Sequence, residues 1–76
     1  MDFETLRGIV AEQLGISEDE ITMNSSFEND LGADSIDLVE IVMAIEAECG
    51  FEISEEDVEN IDTVAKALEY IKSYSE

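Results

Sequence analysis

The pair Asp34-Ser35 is where this 76-residue chain comes closest to offering covalent chemistry. The sequence holds no His and one Cys, Cys49. A His general base, a His/Cys metal site and an internal disulfide are therefore excluded. Ser35 has no His or Lys near it in sequence, so it lacks the partner that would make it a nucleophile by itself. Its position suggests a different role. It stands at the predicted start of a helix, where free N–H groups and the helix dipole favour an attached phosphate. Gly32-Ala33 just before it leaves steric room. A Ser at a helix start is also an ordinary cap, so two readings stand together: a cap, or a hydroxyl that another enzyme modifies.

The charge around this pair is one-sided. Three Lys/Arg face 21 Asp/Glu, for a formal net charge of −18. Between residues 8 and 65 there is no basic side chain, while 17 acids fall there. Direct binding to a nucleic-acid backbone or an anionic membrane face needs clustered positive charge and is not expected. Solubility and an electrostatic handle for basic partners are both consistent with such a surface. No run approaches the roughly 18 apolar residues of a membrane span. Met1-Asp2-Phe3-Glu4 lacks the basic flank of a signal peptide, and the lone Cys49 fits a reducing compartment, so a cytoplasmic protein is expected. Yet 45% of the residues are apolar, enough for a folded core and too many for a disordered acidic tail.

The elements that must position Asp34-Ser35 follow from periodicity. Phe3, Leu6, Ile9/Val10 and Leu14 share one helical face, with Asp2 as N-cap and Gly15 as stop. Ser17 and Glu20 have capping-box spacing for a short turn. Residues 22–33 read as a loop anchored by Phe27 and Leu31, with Gly32 as a joint. A second helix starts at Asp34-Ser35 and runs to Gly50. Ser54 with Asp57, Val58 and Ile61 suggests a short third helix. A fourth begins at Asp62/Thr63, with Val64, Ala67, Leu68, Ile71 and Tyr74 on one side. No alternating strand pattern competes. The expectation is one all-α domain over residues 1–76: a small four-helix bundle of three main helices and one short one, with a long loop between helices 1 and 2.

The second helix carries two apolar faces. Leu38, Ile41, Val42, Ile45 and Cys49 form one stripe, suited to the core. Ile36, Val39 and Met43 form the other, with Glu40 and Glu46 at its edges. A domain this small rarely buries both sides of a helix. The second stripe is therefore either covered by the 22–33 loop or left open for a partner, and its acidic rim suits basic partners.

The run Asp30-Leu31-Gly32-Ala33-Asp34-Ser35-Ile36-Asp37-Leu38-Val39-Glu40 resembles the 4′-phosphopantetheine attachment motif of acyl carrier proteins. The similarity continues through Val42-Met43-Ala44-Ile45-Glu46, Phe51-Glu52-Ile53 and Asp62-Thr63-Val64, and so covers practically the whole chain. The resemblance implies that Ser35 carries the 4′-phosphopantetheine cofactor through a phosphodiester, flanked by Asp34. It implies that acyl intermediates travel as thioesters on that arm and that the carrier itself catalyses nothing. It further implies a partner surface of Ile36, Asp37, Val39, Glu40, Met43 and Glu46. The partners would be a phosphopantetheinyl transferase, acyltransferases and fatty acid synthesis enzymes with basic docking patches, meeting a monomer. An acyl pocket is expected near Val42, Ile45, Ile53, Val58, Ile61 and Leu68. Two positions depart from the family pattern: Ile36 stands where Leu is more frequent, and Val58 where a smaller Ala is common.

Carriers of polyketide or aminoacyl cargo are the nearest rivals. Peptidyl carriers more often resemble Gly-Gly-x-Ser with less acidity, so Asp34 and the net charge favour fatty acid synthesis. An acidic calcium-binding protein is the rival from another class. With Gly32 at position 6 of an EF-hand loop, Phe27 falls at position 1 and Leu31 at position 5, where oxygen ligands are required. That register fails, and no specific metal site is expected. An acidic decoy for nucleic-acid-binding proteins would account for the charge but not for the second stripe.

Overall fold

The computed structural model describes residues 1–75. Four helices follow one another: α1 (Phe3–Leu14), α2 (Ser35–Cys49), α3 (Glu55–Asn60) and α4 (Val64–Ser75). A single 3₁₀ turn, Glu18–Glu20, lies between α1 and α2. Among the described residues the only β pairing is an isolated bridge between Ser26 and Thr63. The fold is the expected all-α bundle.

Local chemistry sets each boundary. The Asp2 carboxylate accepts from the Thr5 N–H at 2.9 Å and caps α1. Gly15 ends α1 in the left-handed conformation, at φ 67°, as Gly50 ends α2 at φ 78°. Ser17 and Glu20 form the complete capping box of the 3₁₀ turn. Ser54 caps α3 by accepting from Asp57 N–H at 3.3 Å. The Thr63 hydroxyl accepts from Lys66 N–H at 3.2 Å at the head of α4.

The core lies between α1, α2 and α4. Leu6 and Val10 of α1 meet Ile41, Val42 and Ile45 of α2 and Val64, Ala67, Leu68 and Ile71 of α4, all buried. These are the stripes that periodicity assigns to the inside. Tyr74 departs from them: it is 58% exposed. It stacks on Tyr70, with centroids 4.6 Å apart, and on Phe51 at 5.2 Å, beyond the end of the aliphatic core. Cys49 is half-buried and packs against the core edge.

The loop at 22–33 is tied down by its backbone as well as by its apolar anchors. Phe27 is buried, and its N–H donates to the Asp62 carbonyl at 3.0 Å. Val64 N–H donates to the Ser25 carbonyl, and Ala65 N–H to that of Met23. Ser25 is buried, with its hydroxyl accepting from the Thr22 N–H at 2.9 Å. The three backbone bonds pull the loop onto the junction of α3 and α4, and the Ser25–Thr22 bond holds it in shape. It therefore reaches α2 at its head and leaves the outer stripe uncovered.

Candidate functional site

At the head of α2, Asp34 is the cap and Ser35 is the first helical residue. The Asp34 carboxylate accepts from Asp37 N–H at 2.9 Å, and the Asp37 carboxylate accepts from Asp34 N–H at 3.3 Å. This reciprocal capping box occupies both acids that flank Ser35. The choice left open by residue type is thereby decided: capping belongs to Asp34, and Ser35 presents an exposed side chain beside the helix start. Ala33 is buried and bonds through its N–H to the Phe27 carbonyl at 2.8 Å. Gly32, at φ 69° and with open space around it, makes the bend that brings the chain into α2.

Ser35 opens onto a cleft of about 430 Å³. Leu38 and Val39 of α2 form one wall, Val58 and Ile61 the opposite one, and Phe27 the floor. Glu28, Glu59 and Asp62 stand around it, so the approach to Ser35 is negative. A second groove of about 380 Å³ continues between α2 and α3, lined by Val39, Val42, Met43, Glu46, Ile53 and Val58. The two share Val39, Val58 and Glu59.

The remaining sequence-predicted residues fall into four groups. Ile36, Val39 and Met43 are 68%, 53% and 60% exposed, in a row with the exposed Glu40. Glu46 is half-buried and turned inward, its carboxylate accepting from Ile53 N–H at 2.7 Å. Val58 is half-buried and lines both openings, Ile61 lines the cleft, and Val42 and Ile53 line the groove. Ile45 and Leu68 lie in the core and border neither opening.

Sequence reasoning missed Leu38, which it placed wholly in the core; the structure leaves it half-buried on the cleft beside Ser35. It also missed Ser26 and Asn29, loop residues on the rim of that cleft. The apolar anchors Phe27 and Leu31 in an otherwise polar loop are the sign in the sequence that the loop folds back there. Tyr70, on α4, donates its hydroxyl to Asp57 of α3 at 2.7 Å. The adjacent Tyr74 hydroxyl, then burial, then the Asp57 carboxylate hold the Tyr70 phenol above its ordinary pKa.

The site fits a phosphopantetheine group attached at the head of α2. An exposed hydroxyl stands at the positive end of a helix dipole, its capping duty taken by a neighbour. The cleft beside it has apolar walls. The phosphopantetheine attachment site family matches residues 4–71 of the chain. The acyl carrier proteins of three Clostridium perfringens strains, SM101, ATCC 13124 and 13, are each 50% identical to it over 74 residues. That alignment spans 97% of this chain and 97% of each relative. Cleft, helix start and sequence agree: the chain belongs to the acyl carrier proteins, the family that carries acyl groups on phosphopantetheine.

Proposed function

We propose that this chain, a single domain of which residues 1–75 are described, carries intermediates of fatty acid synthesis on 4′-phosphopantetheine attached at Ser35. The observation that supports the attachment point is the exposed Ser35 hydroxyl at the first position of α2, relieved of capping by Asp34. When bound, the group supplies a terminal thiol whose thioester has a readily attacked carbonyl and comparatively acidic α-protons. The dipole of α2 favours the phosphate, and Asp34 holds the helix start in register. Growing chains would lie along the cleft and groove, against Val58, Ile61, Val42 and Ile53, with Ile45 and Leu68 behind them in the core. The Asp34-Ser35 pair and the −18 charge support fatty acid cargo over peptidyl cargo.

The carrier catalyses nothing itself and acts as a cytoplasmic monomer. Its partners are the phosphopantetheinyl transferase, acyltransferases and synthases that present basic patches. Ile36, Val39 and Met43 give them an apolar row to close on, with Glu40, Asp37 and Glu46 around it. No helix among the described residues is long and apolar enough to cross a membrane.

A phosphopantetheinyl transferase with coenzyme A tests the attachment directly. Intact mass should rise by one arm, roughly 340 Da, and Ser35→Ala should abolish the gain. A gain of the same mass by the Ala variant would place the group elsewhere.

A further inference from the structure

The outer face of α2 gives Glu46 no need to bond inward, yet it does. Its carboxylate takes the Ile53 N–H at 2.7 Å across the turn that follows α2. Ile53 is buried and stands one residue before Ser54, the cap of α3. α3 has only six residues and none of them is fully buried. Packing alone holds such a helix weakly, and isolated helices of this length are unstable. Its position is set from its ends. Beyond the C-terminal end, Ile61 is buried, Asp62 is bonded to Phe27 and Thr63 bridges to Ser26. At the N-terminal end the attachments are Glu46 on Ile53 and Tyr70 on Asp57. Glu46 lines the 380 Å³ groove whose far wall is α3.

We propose that Glu46 is a positioning residue: by holding the Ile53 N–H it fixes α3 against α2 and sets the width of the groove that takes the acyl chain. A charge-assisted bond of this length is stronger than a neutral one and is shielded here by the half-buried site. Without it, the start of α3 keeps the apolar contact of Ile53 and the Tyr70 bond. The inference rests on the reading of that groove as the cargo site, and the test separates the two.

Two readouts are needed: amide exchange of Ile53 in the apo protein, and melting temperature across a series of saturated acyl forms. In Glu46→Ala, Ile53 exchange should quicken about tenfold, and stabilisation by cargo should level off at a longer chain than in wild type. Glu46→Asp keeps the charge but is one methylene shorter, so it should behave like the Ala variant and serves if that variant folds poorly. Glu46→Gln keeps an acceptor oxygen at full reach, and its exchange should stay within about twofold of wild type. Unchanged exchange in both shortened variants overturns the inference. So does faster exchange with an unmoved plateau, or a Gln variant that matches Ala. A wild-type series with no length dependence overturns the cargo reading, and this inference with it, while the exchange data still report on the bond.

Discussion

Phe27→Ala should remove most of the stability of this domain, although Phe27 lies in a loop. The side chain is only 2% exposed, and its backbone ties the loop to the α3–α4 junction through Asp62 and to the approach to α2 through Ala33. Truncating a buried Phe costs about 3–5 kcal/mol, part transfer and part cavity. A core of this size supplies only about 3–5 kcal/mol in all. The variant should therefore be largely unfolded at 25 °C in low salt. Phe27→Leu keeps most of the volume and should cost less than about 1.5 kcal/mol. At roughly 4–8 °C per kcal/mol for a domain of this length, its melting temperature should fall by up to about 6–12 °C. Helix signal by circular dichroism, followed against temperature and urea at constant m-value, measures both variants. If Phe27→Ala melted within about 5 °C of wild type, the loop would be held by its backbone bonds alone, and the reasoning from burial would be refuted.

Charge repulsion among the 17 acids between residues 8 and 65 should make the melting temperature rise with millimolar Mg²⁺ or Ca²⁺, and with monovalent salt at higher concentration. A flat titration with both would show repulsion to be unimportant for folding. Val58→Ala should widen the shared stretch of cleft and groove, so that stabilisation of about 0.8 kcal/mol per buried methylene continues to longer acyl chains. Melting curves of acylated wild type and variant decide this. Glu40→Lys should slow association with the transferase about tenfold at low salt and flatten its salt dependence, whereas Met43→Ala should act on dissociation at about 1 kcal/mol. Unchanged rates in both variants would remove the α2 stripe from the docking surface. The raised Tyr70 pKa contributes stability that is complete below about pH 10, the ordinary value of an unfolded tyrosine, and is lost as pH rises through the folded value. Tyr70→Phe should flatten the decline of melting temperature above about pH 10; an equal slope in both proteins would locate it in other groups.

Much of the fold was legible because its signals are local. Caps at Asp2, Ser17 and Ser54 and stops at Gly15 and Gly50 depend on residues within one turn of each boundary, and each lies where spacing puts it. The core stripes of α1, α2 and α4 follow from periodicity for the same reason. Tyr74 broke the pattern because a helix face says which residues align, not where the neighbouring element stops.

The sequence by itself determined the helices, the caps of α1 and α3, the acidic coat and the motif around Ser35, since each is written in residue types a few positions apart. It could not assign the cap at the head of α2 between Asp34 and Ser35, because either side chain can accept from the same backbone donors. It could not say whether the 22–33 loop shields Ile36, Val39 and Met43. Both were decided by tertiary structure. Hydrogen bonds from Phe27, Val64 and Ala65 pull the loop toward the α3–α4 junction, and partners some 35 to 42 positions apart leave no periodic trace in the chain. The inward turn of Glu46 is of the same kind: its partner is a backbone N–H, identical at almost every residue, and only the path of the chain after α2 singles out that of Ile53.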